Sequence, residues 1–591
     1  AAAIKGSKQI TFAVISMTLT LVAVYAPVGF ATGRTGKLFL EFALTLAAAV
    51  LVSGFTALTL TPMLCSRLLR HNPSSGRFDR LLGGWLDRLD AGYKRTLGRV
   101  LEHRAAVVML AAAVALACAG LFKLLNQELA PIEDRGTLLI AGRAPEGATI
   151  DYTLRYTREI EKIVAEVPEV TGYLVVAGFP QITNLVSFSR LTPWSERSRS
   201  QKEIINSIQP RLMAIPGILA FGINPPSLGQ SSRSQPVQFV IQTSGTYDDL
   251  EQYVARFMDD VRSNPGFINP DTDLHLDKPQ LDIHVNRDKV IDAGIDVATV
   301  GRTLETFLGG RRVTRYEQNG KQYDVIVQVG DEDRRTPEDV SGLYVRGKSG
   351  EMVQLSNLLD VTETVAPDSL NHFNQLRSAT ITANLAPGYS LGEALSYLQN
   401  TAARVLPETA QTDLDGELRE FTKSSGTLAV TFVLAILFIY LVLSAQFESF
   451  ADPFIIMMSV PLSIAGALFV MFLTGTTLNI YSQVGLITLV GLITKHGILI
   501  VEFSNQLMAQ GRNAREAIIE AAGLRLRPIL MTTGAMVLGA LPLALSSGAG
   551  AESRKAIGWV IVGGMSFGTV LTLFVVPTVY LLVRNWRGAA V

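Results

Sequence analysis

Apolar residues in this chain gather into eight runs, each long enough to cross the roughly 30 Å hydrocarbon core of a bilayer as a helix. They fall at about residues 10–30, 38–66, 105–122, 426–444, 454–473, 481–503, 528–546 and 556–583. Three precede residue 125 and five follow residue 425, so the long block between them folds outside the membrane; it is too rich in charge and turn residues for lipid, and long enough for several small domains. The expected class is an α+β membrane protein, a bundle of eight helices carrying a large external region. Lys plus Arg (52) equals Asp plus Glu (52), so net charge points to no nucleic acid and no acidic partner. Both cysteines, Cys65 and Cys118, lie in apolar runs, which leaves the external block without an internal disulfide.

Basic residues set the orientation. Nine Lys or Arg stand from Arg67 to Arg104, and Arg512, Arg515, Arg525 and Arg527 separate the sixth run from the seventh. Loops on the other side carry only Arg34 and Lys37, or Arg554 and Lys555. The basic loops are therefore cytoplasmic and the polar block lies outside. Within the first basic loop, residues 78–103 place apolar side chains at helical spacing with charges opposite, which predicts a helix lying in the membrane interface.

An internal repeat joins the two ends of the chain. Pro27 and Pro62 match Pro542 and Pro577, and Gly33 matches Gly548, all at one offset of 515. The third run, the polar block and the last five runs then form one complete unit. The first unit is represented by its tail, and a second polar block is expected in about 440 further residues upstream.

Outside the membrane, the pattern predicts a strand at 137–144, a helix at 149–166, strands at 170–177 and 185–191, a helix at 201–214 and a strand at 217–223. That order is the split βαβ of a ferredoxin-like unit. A second unit opens with the strand QPVQFVIQT and a helix from Asp248 to Ser263, and resumes at 379–399. Its interior, about 277–365, reads as an insertion with a hairpin turning at Asn319 and Gly320.

The sixth run contains GLITKHGILIVEF, with Lys495 near its middle. An ammonium there costs about 2.5–3.5 kcal/mol on insertion scales and calls for a partner inside the bundle. Glu502 is about 10 Å further along the helix, and Glu41 sits near the outer end of its own run. The partner is then expected in the upstream part, or burial deprotonates the amine. Thr532 is a candidate hydroxyl bridge, Arg525 stands at the cytoplasmic mouth of the seventh run, and His496 points about 100° away from Lys495. Against an ion-coupling role stands the plainer one of static glue between helices; for His496 the plainer role is a hydrogen bond to a neighbour.

GLITKHGILIVEF (491–503), RLRPILMTT (525–533), ELAPIEDRG (128–136), APGYSLGEAL (386–395), SAQFESF (444–450) and the proline-framed helix pairs together resemble the resistance-nodulation-division (RND) efflux transporters, multidrug branch. The resemblance implies a homotrimeric proton/substrate antiporter of the bacterial inner membrane, driven by the proton gradient without any cofactor or covalent chemistry. It further implies a periplasmic adaptor, an outer-membrane channel, amphiphilic substrates and membrane lipids as partners. In such a family two aspartates on the fourth helix carry the proton; Lys495 matches the lysine that answers them, and Arg525 and Thr532 match accessory relay positions. His496 stands where many members have Asn, and completes the candidate relay. Phe179, Phe188 and Phe221 match aromatics of the substrate pocket, beside a switch loop (177–184) shorter than usual. The partition implied is 1–70 (two membrane helices), 71–104 (interfacial helix), 105–125 (membrane helix), 126–234 (porter subdomain), 235–276 with 366–420 (second porter subdomain), 277–365 (docking subdomain) and 424–585 (five membrane helices). Two rivals remain open. One is a metal-extruding relative, disfavoured by the scattered Met213, Met258 and Met352; the other is a membrane receptor or scaffold, which has no need of a mid-membrane cation.

Overall fold

Four helices open the chain: α1 (Ala2–Gly29), α2 (Gly33–Leu68), α3 (Arg77–Val100) and α4 (Arg104–Leu124). The computed structural model describes residues 2–31, 33–68, 77–228, 235–367 and 369–588; the expected boundaries at 70, 71 and 234 lie outside them. A first αβ unit follows, with β1 (Thr137–Arg143), α5 (Ile150–Ala165), β2 (Val170–Ala177), β3 (Asn184–Leu191), α6 (Gln201–Met213) and β4 (Leu219–Ile223). Next come β5 (Val237–Thr243), α7 (Tyr247–Ser263) and β6 (Phe267–Thr272). An excursion holds β7 (Lys278–Val285), α8 (Arg287–Asp292), α9 (Val297–Leu304), β8 (Arg311–Gln318), β9 (Lys321–Val327), α10 (Pro337–Ser341), β10 (Tyr344–Arg346), β11 (Met352–Gln354) and β12 (Leu359–Ala366). The external region closes with β13 (His372–Phe373), β14 (Leu376–Leu385), α11 (Leu391–Val405) and β15 (Ala410–Leu414). The last helices are α12 (Gly416–Phe447), α13 (Ala451–Met457), α14 (Ser459–Thr474), α15 (Ile480–Ala509), α16 (Ala514–Ala544) and α17 (Ala551–Gly588).

All eight expected spans are helices long and apolar enough to cross a membrane, with α13 and α14 sharing one span. The break at Met458 has a local cause: Pro461 has no N–H to give the Met457 carbonyl one turn back, and beside it the Ser459 hydroxyl donates to Ile456 C=O at 2.7 Å. Helix α15 is the centre of the bundle, with 83% of its apolar window buried against 6% for α4 and 11% for α2. Close packing of α14 on α17 rests on Gly466 and Gly563, where a Cβ would come within 2.5 Å of Phe567 and 2.6 Å of Val470 respectively.

The repeat read from the prolines has a backbone counterpart. Gly33 and Gly548 both take positive φ (81° and 96°), each leading into a long helix with an internal proline. In the first pair Thr18 lies against Gly54, where a Cβ would be 2.7 Å from its hydroxyl. The positions 515 further on, Thr533 and Thr569, touch through their hydroxyls at 3.1 Å.

Two elements depart from expectation. Helix α16 begins at Ala514 rather than near 528, so Arg515, Arg525 and Arg527 lie on a helix and Thr532 is several turns inside it. Its charged N-terminal turns pack on α3, with Arg527 paired to Asp87. Helix α3 in turn does more than lie at an interface: Leu97 is buried, and Tyr93 donates to Leu573 C=O of α17 at 2.6 Å.

Outside the bundle, the first sheet has the order β2-β3-β1-β4, all antiparallel, with α5 and α6 on one face. In the second sheet β14 lies between β5 and both β13 and β6, and β15 closes the far edge. Capping boxes set three of the covering helices, at Ser200/Glu203, Thr246/Asp249 and Ser390/Glu393. The excursion leaves and rejoins through the antiparallel pair β7–β12 and has its own core of Val290, Val300, Val345 and Leu355. Its hairpin β8–β9 turns at Asn319 and Gly320, with φ of 53° and 72°, the pair of positive values a two-residue turn requires. Below the sheets, the chain after α4 pairs with the chain before α15: Leu478 N–H donates to Asn126 C=O at 2.8 Å and Ile480 N–H to Leu129 C=O at 3.2 Å.

Candidate functional site

Helix α15 is started by Asn479, whose side chain accepts from the N–H groups of Tyr481 and Ser482, and Lys495 lies halfway along it. Its ammonium reaches the Met536 sulfur of α16 at 3.0 Å. Among the described residues it forms no ion pair with a carboxylate. Glu502 accepts from Gln506 at 2.8 Å, and Arg525 stacks over the Phe503 ring at 4.4 Å. The Thr532 hydroxyl donates to Ile529 C=O of its own helix at 3.0 Å, and its side chain is exposed.

His496 is held quite differently. It is 1% exposed, with Nε2 at 3.2 Å from the Thr533 hydroxyl and Nδ1 at 3.5 Å from that of Thr569. The imidazole thus joins α15, α16 and α17 through two hydroxyls that also touch each other. The sequence reading missed Thr533, Thr569 and Met536. One signal was available: the repeat offset aligns Thr533 and Thr569 with Thr18 and Gly54, a helix contact at a matching place.

The three phenylalanines belong to the first αβ unit. Residues Leu138 and Ile140 of β1 and Leu185 and Leu191 of β3 face α5 and α6 and form the core. Phe188 opposes Leu139, and Phe221 opposes Ala141, so both rings lie on the other face of the sheet. Neither ring therefore belongs to the core between this sheet and its helices. Phe221 and Phe179 line a cleft of about 570 Å³ against Asn269, Pro270 and Thr382 of the second unit; Phe188 stands further along the same face and is not among its lining residues. Arg143 bridges the cleft to Asp271 at 2.7 Å.

The segment between α4 and β1 holds three acids in distinct surroundings. Burial raises the Glu128 carboxyl above its ordinary pKa, against a hydrogen bond from Thr477. Burial also pushes on Asp134, yet Arg197 and the N–H groups of Gln201 and Gly136 hold it below the usual range. Glu133 is buried and accepts from the first turn of α17.

Comparison with known proteins agrees with this arrangement. The family model for the AcrB/AcrD/AcrF family matches residues 1–584. An uncharacterized transporter of Haemophilus influenzae is 42% identical over 586 residues, covering 98% of this chain and 57% of that protein. The chain thus spans little more than half the length of the curated relative it matches. A multi-pass helix bundle with an αβ region between its third and fourth spans, and a matching family model over almost its whole length, place the chain in the AcrB/AcrD/AcrF family of RND transporters.

Proposed function

We propose that this chain forms part of a proton-driven exporter that moves amphiphilic compounds from the periplasm or the outer leaflet of the inner membrane toward an outer-membrane channel. The observation that carries the reading is the Lys495 ammonium, halfway along the most buried helix and paired with no carboxylate among the described residues. A cation so placed is a standing electrostatic demand. A carboxylate facing it from the rest of the protein would satisfy the demand when ionised and release it when protonated, which converts proton binding into helix movement. Lys495 answers the proton carrier in this scheme, Arg525 and Thr532 flank the relay from α16, and His496 holds α15 against its neighbours.

The two αβ units serve as porter subdomains. Their sheet orders support the ferredoxin-like reading, since β1 and β3 in one and β5 and β14 in the other are central neighbours, and the strand after the first helix, β2 or β6, pairs with β3 or β14 respectively. The excursion β7–β12 is the docking subdomain. Substrate lies in the cleft of Phe179 and Phe221, with Phe188 on the apolar face leading away from it, where flat rings suit amphiphiles of varied shape. A homotrimer, a periplasmic adaptor and the outer-membrane channel complete the assembly.

The test uses the full-length protein in vesicles under a pH gradient, with Nile red as the amphiphilic probe. Lys495→Ala lowers both dye export and coupled proton flux by more than about a hundredfold, the scale of stranding one partner of a buried ion pair, while assembly persists. Normal export by Lys495→Ala overturns the reading.

A further inference from the structure

The segment ELAPIEDRG carries two consecutive carboxylates that hold helices in different layers of the molecule. Glu133 accepts the Ser553 N–H at 2.7 Å and the Glu552 N–H at 3.3 Å, in the first turn of α17. Asp134 accepts the Gln201 N–H, first residue of α6, at 2.7 Å, together with the Arg197 guanidinium. Each helix start has N–H groups without intrahelical partners and a partial positive charge, so a carboxylate is the strongest simple acceptor for it. Trp194 closes the same junction, its ring 3.2 Å from where a Cβ on Gly548 would sit.

Both attachments continue inward. From its first turn α17 runs unbroken to Thr569, about 27 Å away at about 1.5 Å per residue, and Thr569 touches His496 beside Lys495. In the other direction α6 holds β4: the Gly222 N–H donates to Gln209 at 3.0 Å, and the neighbouring Phe221 lines the aromatic cleft. Successive Cα atoms are about 3.8 Å apart, so between the two carboxylates there is no slack to absorb a displacement.

We propose that Glu133 is a positioning residue for transport: it fastens the first turn of α17 to the segment that fastens α6, so that a shift of α17 beside Lys495 reaches the cleft of Phe179 and Phe221. The inference rests on the reading of proton-driven export given above. What matters chemically is an oxygen that accepts two backbone N–H groups, and a neutral amide can supply that oxygen as well as a carboxylate.

Glu133→Ala and Glu133→Gln in the full-length protein test it, with Nile red export in vesicles and hydrogen exchange at residues 552 and 553. Glu133→Ala reduces the maximal export rate about tenfold, the scale of a lost N-terminal acceptor, and leaves the KM for dye unchanged because the cleft is intact. Exchange at 552 and 553 quickens in the same variant. Glu133→Gln recovers most of the rate and the protection. Full export by Glu133→Ala, unchanged exchange at 552 and 553, a raised KM, or a Gln variant as defective as the Ala variant each overturns the inference. Lys495→Ala is the parallel control: if it exports normally the transport reading fails, whereas a dead Lys495→Ala beside a normal Glu133→Ala sinks the role of Glu133 alone.

Discussion

A buried imidazole with a hydroxyl at each nitrogen is fully occupied by its neighbours, and His496 is such a ring. Replacing it by Ala takes one partner from each of the Thr533 and Thr569 hydroxyls, which keep each other, and opens a cavity where three helices meet. His496→Ala should therefore destabilise the bundle by about 2–4 kcal/mol, while His496→Asn, which keeps a donor and an acceptor, should lose less than half of that. Thermal unfolding of the full-length protein in detergent measures both. At this scale Lys495 was legible in the sequence because a lone cation in an apolar run has few explanations. The neighbouring hydroxyl was harder: Thr532 and Thr533 are adjacent, and one residue of helix turns the side chain by about 100°, from the exposed face of α16 to the buried one. The phenylalanines show the same limit in a strand. Alternation says that Phe188 and Leu191 face opposite ways, but which face meets the helices depends on where α5 and α6 pack.

Elements were read best where local chemistry fixes them. Capping residues and the Asn319–Gly320 turn act within a few residues, so the helices and strands of the αβ units fall within a few residues of their expected limits. The start of α16 was not legible, because a hydropathy window ends where charge begins while a helix continues wherever its backbone bonds and its packing do. Asn513 caps the first turn by accepting the Glu516 N–H at 2.8 Å, and packing of Gly523 and Arg527 on α3 holds the charged turns that follow, which no hydropathy window registers. The junction segment permits a sharper expectation. Asp134 has a folded-state pKa below its unfolded value, so its contribution is fully present above the unfolded carboxylate pKa of about 3.9 and is lost as pH falls through the folded value. Protection of the α6 amides, measured as exchange relative to an unstructured chain at the same pH, should fall below about pH 4 in the native protein. Asp134→Asn should show the lower protection already at neutral pH, with the acid step flattened.

For the molecule as a whole, the basic loops and the external block predict opposite exposures for the ends of α16. In right-side-out vesicles, with every native cysteine of the full-length protein, Cys65 and Cys118 included, changed to Ala, a cysteine replacing Ser547 should react with a membrane-impermeant maleimide, and one replacing Arg512 should react only after permeabilisation. Equal labelling at both positions would contradict the orientation. The 515-residue offset made the kinship of the two helix pairs visible before any coordinates, and the matched positive φ of Gly33 and Gly548 shows what physical need it preserves. What no pattern in this chain could supply is the surface that meets α2, α4 and α16, since apolar side chains exposed on a helix look alike whether lipid or protein covers them. The pairing of Lys278 with Ala366 has an evolutionary meaning. An excursion whose two ends lie one strand spacing apart, about 4.8 Å, can be lengthened, traded or deleted by a single genetic event without reopening the sheet that bears it. Lineages could thus revise what this module touches while inheriting the machinery beneath it unchanged.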